Sequence, residues 1–262
     1  MTHRTSLKPI EVMLERANAL SPFSEATGIL DNGCGPGPVM SRLIQDYGQQ
    51  IPETCELMCA DFSEGMIKQV QQTRESAENQ GNTVWPRVST EIMNAMDLSS
   101  IASDSKSHVT AGMVYFMTPD PQKCLTESRR VLKDGGALTL SSWEGSEWMD
   151  LMMLLPRVRP EKQMPHLPAV WSSAEALKGE LSKAGFQDVE TQRVNVTMAF
   201  KTHESIVEFM VTKMPHMVMM TGDMSAEEVG SFKSIMVEEA QKMCPSAPGE
   251  LQGVALVAAG RK

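Results

Sequence analysis

The stretch ILDNGCGPGPVM, residues Ile29 to Met40, places three glycines at alternate positions directly after a short apolar run. Glycine lacks a β-carbon, so this spacing leaves backbone N–H groups open to close approach by another molecule. The run before it, Gly28–Asn32, predicts a short buried strand, and Pro38 suits the first position of a helix. The stretch therefore predicts a strand, a glycine loop and a helix, with a ligand lying against the loop.

The spacing of the glycines narrows the choice of ligand. A dinucleotide-binding fingerprint requires GxGxxG, but the third residue after Gly35 is Pro38. The loop instead has the pattern GxGxG, formed by Gly33, Gly35 and Gly37. A Walker loop requires Gly-Lys followed by Ser or Thr, which the sequence does not contain. Neither of these two motifs explains the loop.

Strand and helix patterns alternate through the first half of the chain. Strands are predicted at Gly28–Asn32, Glu56–Ala60, Ser89–Met93, Val109–Val114 and Ala137–Ser142. Helices are predicted at Pro9–Leu20, from Pro38, after Ser63 as a capping residue, and at Pro121–Leu132, with 71–82 as a helix end and loop. Strands separated by helices imply right-handed crossovers and a doubly wound α/β fold, with a parallel sheet covered on both faces.

The pattern changes after Trp143. Residues 144–171 carry four prolines, which favours an irregular or broken-helix cover over a core element. After it, a helix is predicted at Ser173–Ala184, ended by Gly185, and then an exposed or edge strand at Val189–Thr197. Met-rich helices near 203–214 and 225–243 and a strand at Leu251–Ala259 are predicted next. The sheet is therefore expected to have seven strands.

Composition excludes several classes of partner. The formal charge of −9 and the isoelectric point near 5.1 oppose capture of nucleic acid or of an anionic membrane, because both require clustered Lys and Arg. No basic segment precedes an apolar one at the N-terminus, and no apolar run approaches the roughly 18 residues of a membrane span. The five cysteines form no metal-type CxxC pair, so reduced thiols and no metal site are expected. A cytoplasmic protein with a small-molecule ligand is predicted.

Two further carboxylates follow predicted strands. Asp61 ends the second strand, where an acidic side chain can accept hydrogen bonds from both hydroxyls of a ribose. Asp97 lies in NAMDL after the third strand, where a carboxylate can accept from the exocyclic amine of an adenine. The backbone of Ala95–Met96 offers edge contacts, and Phe62 an apolar face, to the same base. With Asp31 and the glycine loop, these residues predict a nucleoside site at one edge of the sheet.

These segments together resemble the class I S-adenosylmethionine-dependent methyltransferases. LDNGCGPG is similar to their first motif, CADFSEGMI to the acidic motif after the second strand, NAMDL to the adenine-side motif, and MTPDPQKCLTESRRVLKDGGALTLSSW to the stretch carrying the fifth strand. The resemblance implies a Rossmann-like, mostly parallel sheet with an antiparallel last strand and a helical lid, and S-adenosyl-L-methionine as cofactor. The cofactor-binding residues that it implies are Asp31, Gly33, Gly35, Asp61, Phe62, Met66, Met96, Asp97 and Met113.

The resemblance also suggests how the chain is organised. The expected organisation is a single domain over 1–262, with 1–26 as an N-terminal helical cover, 27–143 as the cofactor-binding core, and 144–172 and 200–248 as substrate-lid segments. Outside the core, LSKAGFQDVE and ALVAAGRK are similar to small-molecule methyltransferases of fungal secondary metabolism, such as the thiol methyltransferases acting on gliotoxin-type dithiols. The family often has an acidic residue entering strand four, where this chain has Ser107-His108, so His108 receives no cofactor role.

The chemistry expected of such a protein needs little acid–base machinery. Methyl transfer from a sulfonium is an in-line displacement, which mainly requires alignment of nucleophile, methyl and sulfur and exclusion of water. A thiol acceptor, with a pKa of about 8.5, needs less activation than a phenol at about 10, and an alkyl hydroxyl needs a true base. Candidates for such a base are His166, His203, His216 and Glu144. The predicted walls of an apolar substrate site are Trp143, Trp148 and Trp171.

The predicted function is transfer of the sulfonium methyl to a thiol or hydroxyl of a small apolar natural product. N-methylation stays open as an alternative. So does a methyltransferase fold that binds the cofactor as a regulator or as a catalyst of a non-methylating rearrangement. Nucleic acid is excluded as a substrate by the charge and by MVYFMTPD, which lacks the Pro-Pro turn of amino-directed DNA methyltransferases. No oligomeric state follows from the sequence.

Overall fold

The alternating apolar segments form strands that pair into one sheet. We describe the chain from a computed structural model, in which residues 2–163 and 166–262 are described. The strands are β1 Gly28–Asn32, β2 Glu56–Asp61, β3 Val88–Ile92, β4 Lys106–Gly112, β5 Leu132–Ser146, β6 Gln187–Phe200 and β7 Gly249–Arg261. Within the described residues they form a seven-stranded sheet in the order β3-β2-β1-β4-β5-β7-β6. The predicted α/β fold class with seven strands is confirmed.

The register of the sheet aligns the ends of its central strands. β1 lies between β2 and β4, parallel to both, and Asp31 is level with Cys59 on one side and Thr110 on the other. The pairings of β2 with β3 and of β4 with β5 are also parallel. Just after β7, Lys262 exchanges backbone hydrogen bonds of 3.1 and 2.9 Å with Gly135 and Gly136 in β5. The last strand is therefore antiparallel, as expected, and β6 is an edge strand.

Helices connect and cover the strands. They are α1 Thr2–Leu20, α2 Pro38–Tyr47, α3 Glu64–Asn79, α4 Pro121–Val131, α5 Glu147–Met152, α6 Ala174–Lys183, α7 His203–Lys213, α8 Pro215–Thr221 and α9 Ala226–Met243. The face of α1 predicted to be apolar is buried, with Met13 and Leu14 fully enclosed. This helix starts before the predicted Pro9, and the Thr5 hydroxyl anchors its first turns by donating to the carbonyl of Thr197.

Two helical features near β2 differ in detail from the predictions, although α3 ends within 71–82 and Ser63 precedes it, as expected. The polar segment after Gln71 continues α3 to Asn79, because side chains of this segment bond to the neighbouring strand: Gln71 to Thr90 Oγ1 (3.0 Å) and Arg74 to the Val88 carbonyl (3.1 Å). Ser63 stands at the capping position of α3, but its hydroxyl makes no capping hydrogen bond. The continuation of α3 therefore depends on partners in β3, outside the helix itself.

β4 starts three residues earlier than predicted, at Lys106, because its polar residues find partners in the fold. The buried Lys106 amine donates to Glu56 (2.8 Å), and the Ser107 hydroxyl donates to the Gly28 carbonyl (3.0 Å). Nε2 of His108 lies 2.8 Å from the carbonyl of Ser21. His108 pairs in register with the second residue of β1, away from the end of β1 that carries the glycine loop.

The chain divides into two compact units. The larger contains residues 7–143, 168–194 and 255–262, and the smaller contains the described residues 2–6, 144–163, 166–167 and 195–254. In the larger unit, Gly185 ends α6 with a φ of +90°, the left-handed conformation that was predicted. The predicted assignment of 144–172 and 200–248 to a substrate lid stays a prediction.

The smaller unit holds α5 and α7–α9. The predicted broken-helix segment, residues 144–171, contains α5 and further turns at Leu155–Arg157 and Ala169–Trp171, while Pro165 lies outside the described residues. Arg159 of this segment donates to Glu228 in the first turn of α9 (2.7 Å), and Lys162 forms an ion pair with Asp223. These ion pairs attach the proline-rich segment to the helical part of the same unit.

Candidate functional site

The glycine loop follows β1 and requires glycine for two different reasons. Gly33, Gly35 and Gly37 have φ angles of +72°, +54° and +85°, which side chains with a β-carbon rarely adopt. A β-carbon on Gly33 would lie 2.4 Å from Cγ2 of Val114, whereas one on Gly35 would meet nothing within 4 Å. Packing therefore demands glycine at position 33, while position 35 faces open space.

Asp61, at the end of β2, holds this loop in place. One carboxylate oxygen accepts a hydrogen bond from the N–H of Gly35 (2.9 Å), and the other accepts from the N–H of Ser63 (2.9 Å). The N–H of Gly33 donates to the Ala60 carbonyl at 2.8 Å. Each carboxylate oxygen uses one lone pair in these bonds and retains the capacity to accept another donor.

The turn from Asn94 to Asp97 lies beside the end of β2. The N–H of Met93 donates to the backbone carbonyl of Asp61 at 3.0 Å, and the N–H of Asp97 donates to the Asn94 carbonyl at 2.8 Å. The exposed Asp97 carboxylate accepts from the N–H of Ser99 (3.1 Å). Hydrogen bonds from Ser99 lower the pKa of Asp97, which keeps this carboxylate ionised at neutral pH.

Asp31 is buried beneath the glycine loop. Its Oδ1 accepts a hydrogen bond from the Thr110 hydroxyl (2.9 Å), while its Oδ2 has no hydrogen-bond partner in the protein. Burial raises the pKa of Asp31 to about 7, with a smaller contribution from the nearby charge of Asp61. A cationic group close to Oδ2 would stabilise the ionised form of this carboxylate.

The remaining residues predicted for cofactor binding lie at or near the same strand ends. Phe62 follows β2 with 80% of its surface exposed, and Met66 lies half-buried in the first turn of α3. Met96 is half-buried in the turn before Asp97. Met113 follows β4 with a φ of +57°, and its N–H donates to Ser141 in β5. The structure thus groups the predicted residues at the carboxyl ends of β1–β4.

Comparison with known proteins agrees with this arrangement. A family model described as a methyltransferase domain matches residues 29–136, which contain all of these loops. The chain is 38% identical over 255 residues to the methyltransferase ucsB of an Acremonium species, an alignment that covers 97% of this chain and 88% of the relative. The chain belongs to the methyltransferase family. The predicted enzyme class, a methyltransferase that uses S-adenosylmethionine, is confirmed.

More distant relatives extend the comparison. The methyltransferase is 25% identical over 213 residues to the acetylaranotin bis-thiomethyltransferase of Aspergillus terreus, over 78% of this chain and 70% of the relative. The crystal structure of the YcgJ protein of Bacillus subtilis superimposes with a TM-score of 0.60 at 17% identity, covering 97% of both chains. At that identity the likeness to YcgJ concerns the fold alone.

The loops of this methyltransferase fit S-adenosylmethionine in charge and in space. The cofactor carries hydroxyl and amine donors and a cationic sulfonium, and the loops offer carboxylates with unused lone pairs, in Asp61 and in Oδ2 of Asp31. Open space beside Gly35 and the exposed ring of Phe62 leave room for the ligand. These residues could hold the cofactor without an unfavourable pairing of charges.

The four candidates for a catalytic base all lie in the smaller unit of the methyltransferase. His166 and His216 are exposed, and Glu144 is half-buried within β5. His203 is buried at the start of α7, where its Nε2 lies 2.7 Å from the carbonyl of Cys244. This contact joins the start of α7 to the residue that follows α9, and a catalytic role for any of the four residues stays a prediction.

The three tryptophans predicted to wall a substrate site differ in their surroundings. Trp143 is half-buried after the central part of β5. Trp171 is 2% exposed, and its carbonyl accepts a hydrogen bond from the Ser142 hydroxyl (2.6 Å). Trp148, in the smaller unit, is also buried and packs so closely on Gly253 that a β-carbon there would lie 2.3 Å from its ring. Their role as substrate walls stays a prediction.

Sequence reasoning missed a polar group beneath the glycine loop. Asn32, the last residue of β1, is fully buried and donates to the Tyr115 hydroxyl (2.9 Å), which lies 2.5 Å from Ser128 Oγ. The polar pair Asp31-Asn32 at the end of a strand that begins with apolar residues is the signal that could have drawn attention to this position. Its partners are distant in sequence and could not have been named from it.

Two absences hold for the described part of the chain. The residues searched contain no group of three or more His, Cys, Asp or Glu side chains that could hold a metal ion. Among the described helices, none combines the length and the apolar character needed to cross a membrane.

Proposed function

We propose that this methyltransferase transfers the sulfonium methyl of S-adenosylmethionine to a sulfur or oxygen atom of a small apolar natural product. Two curated relatives support this choice, since one is named as a thiol-methylating enzyme of acetylaranotin and both are fungal. The exposed loops carry carboxylates rather than clustered Lys or Arg, which suits a cationic cofactor and does not suit a polyanionic substrate.

The proposed cofactor site assigns one task to each loop. Asp61 accepts hydrogen bonds from the ribose hydroxyls with its remaining lone pairs, and Asp97 accepts from the exocyclic amine of adenine. Phe62 offers its exposed ring to the face of the base. The open backbone at Gly35 and the unpaired oxygen of Asp31 serve the methionine end of the cofactor.

The chemistry that the bound cofactor supplies is a methyl group on a cationic sulfur, which leaves as a neutral thioether. The protein contributes alignment and exclusion of water, which can account for a large part of the rate. Carboxylates beside the sulfonium would also attract the cation before transfer. No proton transfer to the cofactor is required in such a displacement.

The observation that carries the choice of acceptor concerns the one described histidine of the larger unit. His108 is buried, with Nδ1 2.9 Å from Ser107 Oγ and Nε2 2.8 Å from the Ser21 carbonyl, and burial lowers its pKa. Both of its ring nitrogens are occupied inside the protein, so the unit that carries the proposed cofactor loops offers no described histidine as a general base. An acceptor that ionises with little help fits best, which favours a thiol, then a phenol, over an alkyl hydroxyl.

Binding of S-adenosylhomocysteine, measured by calorimetry, tests the cofactor site. Asp97→Asn keeps the shape of the side chain but replaces one acceptor oxygen with a donor, and we expect affinity to fall by about 1.5–3 kcal/mol. Glu91→Gln, on the exposed face of β3, is the matched control for loss of one negative charge and should bind normally. Equal affinity of all three proteins would contradict the proposed position of the adenine.

A panel of acceptors tests the transfer itself. The enzyme is incubated with S-adenosylmethionine and small apolar dithiols, phenols and amines, and products are examined by mass spectrometry for a gain of one methyl. We expect thiols to be methylated fastest and phenols more slowly. Methylation of amines alone would overturn the sulfur or oxygen assignment, and binding of the cofactor with transfer to no acceptor would overturn the proposal as a whole.

A further inference from the structure

A directed chain of hydrogen bonds runs from the end of β1 to α4. Ser128 Oγ lies 2.7 Å from the carbonyl of Cys124, and a carbonyl can only accept, so the single hydroxyl proton of Ser128 is used there. Tyr115 must therefore donate its own proton to Ser128 Oγ, at 2.5 Å. The Tyr115 oxygen is then left to accept from Nδ2 of Asn32, at 2.9 Å. We call these three side chains the Asn32 network.

The Asn32 network determines the orientation of the Asn32 amide. Only an N–H can satisfy the Tyr115 oxygen, so the amide nitrogen must lie on that side. The same nitrogen lies 3.5 Å from the carbonyl of Ala95, the second residue of the turn that ends at Asp97. The amide oxygen is buried without a hydrogen-bond partner in the protein. A buried amide in this state is retained at a free-energy cost, which calls for a compensating role.

Hydrogen bonds on both sides of the turn that contacts Asn32 also attach it to the fold. Before it, the N–H of Met93 donates to the Asp61 carbonyl (3.0 Å). After it, the N–H of Leu98 donates to Glu127, which is held by Arg130 in α4. The contact to Ala95 lies between these two points and ties the turn to the strand that carries the glycine loop.

We infer that Asn32 is a positioning residue that sets the distance between the adenine-side turn and the glycine loop, and thereby the selectivity of the methyltransferase for the base of its cofactor. The inference rests on the proposed function, in which Asp97 accepts from the exocyclic amine of adenine. Asn32 is fully buried, so it is not a catalytic residue in this inference. It acts through the backbone of Ala95, two residues before Asp97.

The test compares two ligands that differ at that amine. S-adenosylhomocysteine carries the amine, and S-inosylhomocysteine carries a carbonyl oxygen in its place. Wild-type protein should bind the first at least about tenfold more tightly, because the second places two acceptors face to face. Asn32→Leu and Tyr115→Phe, which remove the donor and its acceptor respectively, should each reduce this preference to about threefold or less. Tyr115→Phe keeps the aromatic packing and so guards against loss of the fold.

A stability control separates positioning from general weakening. Val109→Ala deletes buried methyl groups from β4 beside β1 and should lower the melting temperature without changing the ratio of the two affinities. A merely structural role for Asn32 would weaken both ligands equally and leave the ratio at its wild-type value, which would overturn the inference alone. Failure of wild-type protein to prefer S-adenosylhomocysteine would overturn the proposed adenine contact and the inference with it.

Discussion

Asp31 shows how one residue can serve folding and binding in opposite ways. Its carboxyl group is completely buried, with one oxygen bonded to Thr110 and the other unpaired. Desolvation therefore disfavours its charge and raises its pKa to about 7. A cationic ligand would recover part of that cost, so the free protein carries an electrostatic penalty at the site where a cationic cofactor is proposed to bind.

The first prediction concerns the pH dependence of stability. The native pKa of Asp31 lies above the unfolded value of about 3.9, so the native state holds the extra proton between the two values. This contribution to stability is fully present below the unfolded pKa and is lost as pH rises through about 7, at up to about 1.4 kcal/mol per pH unit.

Urea denaturation at several pH values between 5 and 8 measures how the free energy of unfolding changes as Asp31 ionises. The variant Asp31→Asn cannot titrate, so its free energy of unfolding should rise relative to wild type as pH increases. Parallel stability curves for the two proteins would show that the buried carboxyl does not titrate in this range.

At the scale of elements, two helices with the same capping residue differ in how they begin. Ser225 caps α9 with a full capping box, in which its hydroxyl accepts from the N–H of Glu228 and the Glu228 carboxylate accepts from the N–H of Ser225. Ser63 precedes α3 but makes no side-chain capping bond, and its N–H donates to the Asp61 carboxylate. A serine at the same capping position therefore contributes differently to the stability of α3 and of α9.

The second prediction follows from this difference. Ser225→Ala should lower the free energy of unfolding by about 1 kcal/mol, because it removes the acceptor for the N–H of Glu228. Ser63→Ala, the matched control, should change it by a few tenths of a kcal/mol at most, since no capping bond is lost. Urea melts monitored by circular dichroism give both values. A larger loss for Ser63→Ala than for Ser225→Ala would contradict this view of the two caps.

At the scale of the whole molecule, the five cysteines are free thiols, and four of them are buried. Burial raises the pKa of the Cys55 thiol to about 11 and also raises the pKa of Cys124. Because the thiolate is the reactive form, these side chains should react slowly while the protein is folded. Cys244 is half-buried after α9 and has the best access to solvent.

The third prediction uses these thiols to report on the fold. An aromatic disulfide reagent should modify one thiol rapidly in native protein and all five in denaturant. Cys244→Ser should abolish the rapid phase and leave four thiols in denaturant. Rapid modification of two or more thiols in native wild-type protein would show that the buried cysteines are more accessible than this structure has them.

The sequence by itself determined the fold class and the location of the proposed cofactor site. Apolar runs between helical patterns predicted the order of the strands, and three motifs in sequence order placed Gly33, Asp61 and Asp97 after successive strands. These features depend on local periodicity and on the geometry of parallel sheets, in which strand ends meet at one edge. Both are encoded within short segments.

The tertiary structure alone decided which polar side chains form long-range hydrogen bonds. Asn32 acquires its partners from residues 63 and 83 positions away in the chain. The hydroxyl of Ser63 makes no capping bond, and Lys106 joins β4 because Glu56 lies beside it. A hydrogen bond depends on distance and direction to a specific partner, whereas burial of apolar surface depends on neither. Hydrophobic patterns can therefore be recognised in the sequence. Long-range polar contacts are determined only when the chain has folded.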